Sequence, residues 1–251
     1  MSRRKELFQD ASKITYEGPE PATLVHYFKD DATHALSLTT SPLHGRGVLL
    51  NRISEFFFDY LHELGIHSRF MKRLNMREQQ VHAAEEFPFA LSVRTIMMGD
   101  FAKRFGMDDM MPLPKPLIEF TYTEPELHYP LISSEHIVTF GWANPEELDE
   151  MDAVAYRIND ILSGFFAALS YRIATLHLTF GRLYDEEGDQ YHVVLTSEIG
   201  PETLEVVPVA LLNGEKGEAM PSLSHVYGAL AKVLGIVNDV TKGEASHGHG
   251  A

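Results

Sequence analysis

Hydrophobic and polar positions in the first third of the chain change from a strand-like to a helical spacing and back. Between residues 6 and 29 they alternate around Glu17-Gly18-Pro19, a pattern typical of a β-hairpin followed by another strand from Leu24 to Phe28. From Val48 to Leu64 the apolar residues recur three and four apart, which predicts an amphipathic helix closing near Gly65. Three short segments that favour strands follow, at 67–74, 77–84 and 88–97.

The second half of the chain begins with the clearest helix. Asn144 is a candidate N-cap, and the buried stripe that follows predicts a helix over 145–171. Residues 174–184 and 191–199 alternate on either side of an acidic, glycine-containing turn, which predicts a hairpin. A last helix is predicted over 222–237. Strands and helices in this order indicate an α+β fold of antiparallel sheets with flanking helices.

Composition narrows the class of protein. The chain has 251 residues, 44% of them apolar, and its sequence shows no run long enough for a membrane span. It has no cysteine, which excludes disulfides and thiolate chemistry and favours a reducing cytoplasm. A net charge of -15 argues against nonspecific nucleic-acid binding, which depends on Lys and Arg. We therefore expect a cytoplasmic protein that binds neither membrane nor nucleic acid.

Many ordered segments between about residues 3 and 205 resemble the SAICAR synthase family, the ATP-dependent ligases of purine biosynthesis that join aspartate to a carboxylated aminoimidazole ribotide. They include Lys13-Ile14-Thr15-Tyr16-Glu17-Gly18-Pro19, Gly45-Arg46-Gly47-Val48-Leu49-Leu50-Asn51-Arg52, Arg73-Leu74-Asn75-Met76-Arg77-Glu78-Gln79 and Thr139-Phe140-Gly141-Trp142-Ala143. The resemblance implies a two-lobed, kinase-like fold around a central cleft. On this basis we expect a β-rich lobe over 1–95, an α+β lobe over 96–240 and a disordered tail over 241–251.

The resemblance also implies an ATP and Mg²⁺ site, and this chain departs from the family's pattern there. Where the family typically has Gly-Lys-x-Lys, the chain has Asp10-Ala11-Ser12-Lys13. The family's three charged hairpin positions, Asp-x-Lys-x-Glu, are Thr175, His177 and Thr179, and its following Asp-Glu is Ser197-Glu198. Magnesium prefers charged oxygen ligands. We therefore expect Mg·ATP not to bind in the family's manner, and we name Thr175, His177, Thr179 and Ser197 as a remodelled pocket.

The substrate side departs from the family in a similar way. Arg94 is kept, whereas acidic, hydroxyl and basic positions of the family are replaced by Ala90, Asp100, Tyr129 and Glu205. Losses of this kind typically cost on the order of 10² in rate each, so we expect the ligase activity to be impaired or absent. The candidate nucleotide- or substrate-binding residues are then Lys13, Arg94 and Glu198, with no catalytic residue and no metal site assigned.

Several of these residues have a second interpretation. Lys13 either contacts a phosphate or is a solvated strand lysine, and Arg94 needs either an anionic ligand or an internal carboxylate such as Asp100. His177 and His192 lie on paired predicted strands and would suggest a metal site if a third ligand converged; structural histidines are the commoner case. His247 and His249 in the tail could chelate metal loosely.

The segment Met97–Met111 is rich in methionine and phenylalanine, whose side chains pack in a core. If the segment is exposed, it is a candidate protein interface. Three functions therefore remain open from the sequence. The chain could be a ligase, a non-catalytic partner or regulator that uses Met97–Met111 and forms a homo-oligomer or a complex, or a protein that binds a small molecule in the remodelled pocket.

Overall fold

The computed structural model describes residues 4–33, 40–42, 44–185, 188–215 and 220–236. The strands are β1 (Glu6–Gln9), β2 (Lys13–Glu17), β3 (Thr23–Phe28), β4 (Asp31–Thr33), β5 (Thr40–Pro42), β6 (Phe70–Arg73), β7 (Glu78–His82), β8 (Glu85–Met97), β9 (Met111–Tyr122), β10 (Leu131–Ile132), β11 (Tyr171–Tyr184), β12 (Tyr191–Leu195) and β13 (Leu204–Pro208). The helices are α1 (Arg46–Glu63), α2 (Gly99–Phe105), α3 (Ser134–Thr139), α4 (Pro145–Ala167), α5 (Val209–Leu212) and α6 (Leu223–Val233).

Two antiparallel sheets organise these elements. The first has the order β1-β2-β3-β7-β6, and the second has the order β10-β9-β8-β11-β12, with β13 also pairing with β11. Backbone hydrogen bonds at Leu195, to His67 and from Arg69, connect the two sheets. The predicted α+β fold with antiparallel sheets and flanking helices is confirmed.

One large apolar core holds the two sheets and the long helices together. Phe57 and Leu61 of α1 are almost fully buried, as are Ile158 and Leu162 of α4. Strand β11 runs through this core, with Leu176 and the other inward residues fully buried. Burying a large apolar side chain contributes roughly 1.5–3 kcal/mol, so this core is the main source of stability.

Helix ends follow local rules that the sequence displays. Asn144 caps α4 as predicted, because its side chain accepts from the Glu147 amide while Glu147 accepts from the Asn144 amide, each at 2.8 Å. The helix ends at Ala167, four residues before the predicted end at 171. Ser170 has φ of +62°, a conformation that stops a helix, and the strand begins at Tyr171.

Strand β9 was not predicted, and its prolines explain why. Proline lacks the backbone donor that a central strand needs, so Pro112, Pro114 and Pro116 weaken the strand signal here. Among the described residues this half of β9 pairs with β8 alone, while β10 pairs with β9 at Phe120 and Thr121. The prolines therefore occupy an edge where no second described strand requires their missing N–H groups.

The proposed division into lobes stays a prediction. Its boundary between residues 95 and 96 falls inside β8, which belongs to the second sheet. The predicted tail at 241–251, with His247 and His249, lies outside the described residues.

A buried ion pair joins the start of α1 to the segment after β12. Arg46 is 2% exposed and donates to both carboxylate oxygens of Glu202, at 2.6 and 2.8 Å. It also donates to the carbonyls of Ser12 at 2.9 Å and Lys29 at 3.0 Å. The Tyr227 hydroxyl of α6 donates to the same carboxylate. Arg46 therefore connects the first sheet, the second sheet and, through Glu202, the last helix.

Removing this arginine should destabilise the whole fold. Arg46→Ala leaves Glu202 buried without its cation, and losing one partner of a buried pair costs about 3–5 kcal/mol of unfolding free energy. Chemical denaturation measures this loss. Lys103→Ala is the control, because Lys103 and Asp100 form a pair that is 79% and 98% exposed. A loss for Arg46→Ala no larger than that of the control would contradict the assignment.

Candidate functional site

The candidate site is a cavity of about 510 Å³ between the two sheets. The turn between β1 and β2 borders it on one side, and the β11–β12 hairpin with the following segment borders it on the other. Its lining residues are Phe8, Asp10, Lys13, Thr15, Leu24, His26, Arg69, Glu86, Phe87, Ala90, Thr123, His177, Leu178, Thr179, Ser197, Glu198 and Thr203. The structure thus brings together Lys13, Glu198 and three of the four residues named as a remodelled pocket.

The turn before Lys13 is closed by its own aspartate. Asp10 Oδ1 accepts hydrogen bonds from the Ser12 amide at 2.6 Å, the Ser12 hydroxyl at 3.1 Å and the Lys13 amide at 2.7 Å. Backbone amides in such a turn are the groups that cradle a phosphate in nucleotide sites. Here the Asp10 carboxylate already occupies two of them.

Glu198 lies beside two cations and one histidine. Lys13 Nζ donates to its two oxygens at 3.0 and 3.1 Å. His26 Nδ1 lies 3.4 Å from Oε1, and an Arg69 nitrogen lies 3.9 Å from it. Burial would raise the pKa of Glu198, but Lys13, His26 and Arg69 together hold this pKa well below its usual range. Glu198 is therefore a carboxylate fully engaged by the protein.

The third carboxylate of the cavity is engaged as well. Arg69 is 5% exposed and donates to Glu86 across the cavity wall. Arg69 thus contacts both Glu86 and Glu198. All three acids that line the cavity, Asp10, Glu86 and Glu198, accept from donors of the chain itself.

Both histidines of the cavity are held in the neutral form. Burial and the nearby Arg69 charge lower the pKa of His26 to about 4. Burial and the Arg94 charge lower the pKa of His177 to about 3. His177 Nδ1 is 2.8 Å from the Ser92 hydroxyl. At neutral pH these rings offer hydrogen-bonding groups without charge.

The threonines and the serine of the hairpin are bonded to one another. The Thr179 hydroxyl lies 2.9 Å from that of Thr196, and the Thr179 amide donates to Ser197 Oγ at 3.1 Å. Thr175, the fourth residue of the predicted pocket, is fully buried and does not line the cavity. It accepts from Arg94 at 3.2 Å instead.

Arg94 finds an internal partner, and that partner is not Asp100. Its Nε donates to Glu119 at 2.6 Å, and Arg104 donates to the same carboxylate at 2.8 and 2.9 Å. The guanidinium also lies over the Phe101 ring, 4.7 Å from its centroid. Asp100 is paired with Lys103 on the surface. Arg94 and Lys13 therefore lie in separate clusters.

The two histidines of the hairpin and the segment Met97–Met111 were given alternative interpretations from the sequence. His192 pairs with Leu183 in the hairpin, whereas His177 pairs with Ser92 on β8, so the two histidines do not face one another. The segment Met97–Met111 is divided. Met97 and Phe101 are buried, whereas Phe105 and Met107 are 56% and 46% exposed. An interface in this segment stays a prediction.

His26, Arg69 and Glu86 also line the cavity and were not predicted from the sequence. The alternation of β3 could have indicated His26, because it pairs with Thr15 and faces the cavity beside Lys13. Arg69 and Glu86 have no local signal, since their contact depends on how β6 and β8 meet in space.

The three acids of the cavity have partners within the chain. Glu198 accepts from Lys13, Glu86 accepts from Arg69 through Oε1, and Asp10 accepts from the turn amides through Oδ1. Magnesium prefers charged oxygen ligands, so a magnesium ion bound by these acids would share them with the donors of the chain. The uncharged groups that line the cavity are hydroxyls, two neutral imidazoles and the rings of Phe8 and Phe87.

The protein sequences that match this chain are SAICAR synthetases, under that name or under the name phosphoribosylaminoimidazole-succinocarboxamide synthase. The family model described as SAICAR synthetase matches residues 9–222. The chain is 41% identical over 243 residues to a phosphoribosylaminoimidazole-succinocarboxamide synthase of Sinorhizobium fredii, covering 95% of each chain. It is 46% identical over 202 residues to one of Parvibaculum lavamentivorans, covering 80% of this chain and 79% of the relative.

Solved structures agree with the sequence comparison. The crystal structure of phosphoribosylaminoimidazole-succinocarboxamide synthase from Ehrlichia chaffeensis matches with a TM-score of 0.80 at 29% identity, covering 93% of this chain and 98% of that one. A SAICAR synthetase solved in complex with ADP matches with a TM-score of 0.75 at 25% identity, covering 91% of this chain and 95% of that one.

Among the described residues, none of the helices combines the length and the apolar character that a membrane span needs.

The neutral histidines make stability depend on pH in a defined window. The folded-state pKa values of His26 and His177 lie below the ordinary 6.5. Their contribution to the unfolding free energy is therefore fully present above pH 6.5. It is lost as the pH falls toward about 4 for His26 and about 3 for His177. His177→Gln should make the unfolding free energy less dependent on pH between 6.5 and 4, by up to ~1.4 kcal/mol per pH unit.

Denaturant unfolding at several pH values measures this dependence. His225→Gln is the control, because His225 is exposed at the start of α6. Equal pH slopes for His177→Gln and the unmodified chain would show that His177 is not held neutral by its surroundings.

Proposed function

The chain belongs to the SAICAR synthetase family of purine-biosynthesis ligases, and from this premise we propose that it binds a small molecule in the cavity between its two sheets. We further propose that it does not carry out the ATP-dependent ligation at a useful rate, and that it works in the cytoplasm. In this proposal Lys13, Arg69 and Glu198 form a fixed charged wall. His26, His177, Thr179 and Ser197 are the groups that contact the ligand.

The observation that carries this proposal is that each of the three cavity carboxylates accepts hydrogen bonds from the chain itself. Activating a carboxylate with ATP requires acids that hold Mg²⁺ against the transferred phosphate, with a lysine for its oxygens. In this cavity Glu198 is bound by Lys13 at 3.0 Å, and Asp10 is bound by the turn amides. Coordinating Mg·ATP through Glu198 would first require separating it from Lys13, and a partly buried charge pair is costly to separate.

The charge of the cavity indicates the kind of ligand. The charged residues that line the cavity are two cations, Lys13 and Arg69, and three acids, Asp10, Glu86 and Glu198. Both histidines are neutral, so the cavity lining has a small net negative charge. This balance disfavours a polyphosphate. Hydroxyl groups and aromatic surface favour a heteroaromatic ligand of low charge.

The ligase reaction itself is the second candidate. The observation that favours it is the 41% identity over 95% of both chains with a relative named as a phosphoribosylaminoimidazole-succinocarboxamide synthase. It requires Lys13 to leave Glu198 when the nucleotide arrives, which would free one carboxylate and one ammonium group together. Arg94 would have to exchange Glu119 for the ribotide.

An activity assay separates the two candidates. Purified protein at high concentration is incubated with ATP, Mg²⁺, aspartate and the carboxylated ribotide, with a family member of known ligase activity as the positive control. We expect no ADP or product above the background without enzyme. ADP release that depends on the ribotide and is lost in Lys13→Gln would establish the ligase reaction and overturn our proposal.

A binding experiment tests the first candidate directly. Thermal-shift and calorimetric titrations compare adenosine and aminoimidazole carboxamide riboside with ATP and the riboside monophosphate. We expect the uncharged nucleosides to bind more tightly than the phosphorylated forms. Thr179→Val, which removes a cavity hydroxyl, should weaken binding about tenfold, consistent with the typical contribution of a hydrogen bond. Thr139→Val, at an exposed position of α3 outside this cavity, is the control. Failure of all four compounds to bind would refute the proposal.

A further inference from the structure

A second cavity lies on the other face of the second sheet, against α4. It has a volume of about 500 Å³. Its floor comes from neighbouring strands, with Lys115 on β9, Thr95 on β8 and Arg172 on β11. Its wall comes from one side of α4, including Asn159, Asp160 and Ser163. It shares no lining residue with the cavity between the two sheets.

An unsatisfied amide marks the base of this second cavity. Asn159 is 2% exposed, and its Oδ1 has no hydrogen-bond partner among the described residues. A buried polar atom without a partner costs about 1–3 kcal/mol, so proteins nearly always provide one. This oxygen has almost no accessible surface, so a molecule inside the cavity reaches it when the Asn159 side chain turns toward the cavity that it lines.

Two cations without carboxylate partners border the opening. Lys115 and Arg172 are exposed, and within the described part of the chain neither forms an ion pair with an acid. Most arginines of this acidic protein are engaged, as Arg46, Arg69 and Arg94 show. Two unengaged cations beside one cavity form a local positive field in a chain of net charge -15.

We propose that this second cavity binds a small organic anion that also carries an amino or amide N–H group. The anionic group, a carboxylate or a phosphate, contacts Lys115 and Arg172. The N–H group donates to Asn159 Oδ1, and Asp160 at the rim favours an amino group that is positively charged. Arginine pairs well with both anionic groups because its fork of donors matches their oxygens.

The site has a direct structural link to the cavity between the sheets. Thr95 lines the second cavity, and its neighbour Arg94 contacts Thr175 and influences His177 from the opposite face of β8. The register of β8 shifts between Arg94 and Ile96, so an occupant beside Thr95 contacts the irregular segment that positions Arg94. The proposal does not depend on which reaction or ligand the first cavity has.

The test uses the full chain and four probes at constant ionic strength. L-glutamate and AMP carry an anion and an N–H group, succinate carries anions without an N–H group, and inorganic phosphate carries the anion alone. Isothermal calorimetry and saturation-transfer NMR measure binding. We expect saturable binding of L-glutamate or of AMP, tighter than that of succinate and phosphate, and which of the two binds distinguishes a carboxylate from a phosphate ligand.

Variants assign the binding to this cavity. The double variant Lys115→Gln with Arg172→Gln should raise the dissociation constant about tenfold or more, the scale of losing charged hydrogen bonds. The control pair Lys5→Gln with Lys232→Gln changes two exposed cations elsewhere and should leave binding unchanged. Asn159→Leu should abolish the preference for L-glutamate over succinate while the protein stays folded by circular dichroism.

Several results would overturn the inference. Equal binding of all four probes would show a nonspecific charge effect, and no saturable binding of any probe would show that the cavity holds only water. Loss of binding in Lys13→Gln, with retention in the Lys115 and Arg172 variant, would place the ligand in the other cavity.

Discussion

Two carboxylates, the partly buried Glu198 and the buried Glu202, connect the two sheets of this protein. Both follow β12, and both are held by cations from the other part of the chain: Glu198 by Lys13 and Glu202 by Arg46. A buried charge is stable only when it is paired and hydrogen-bonded. The position of β1 and β2 relative to the hairpin therefore follows from these pairs as much as from the apolar core.

The same pairing sets the chemistry available between the sheets. Lys13 and Glu198 satisfy one another and join the two sheets. Arg69 extends this arrangement by contacting Glu86 as well as Glu198. The charged groups of the cavity therefore contact one another, and its hydroxyls and neutral imidazoles lie beside them.

Strand β8 separates two different environments. On one side Ser92 orients His177 in the first cavity, and Arg94 is bound between Glu119 and Thr175. On the other side Thr95 lies beside Lys115, Arg172 and Asn159, whose Oδ1 has no hydrogen-bond partner among the described residues. The two cavities have similar volumes, but their charged groups are arranged differently.

The sequence by itself determined the elements whose signals are local. The alternation before Phe28, the helical spacing in α1 and the Asn144 cap all depend on residues within a few positions, and the structure contains each of them. The family and its α+β fold were also readable, because many ordered segments carry the resemblance. Only the tertiary structure decided which charges meet. Arg94 pairs with Glu119 and not with Asp100, and Lys13 pairs with a carboxylate 185 positions away. Such contacts depend on strand register and sheet packing, which residue type and spacing along the chain do not specify.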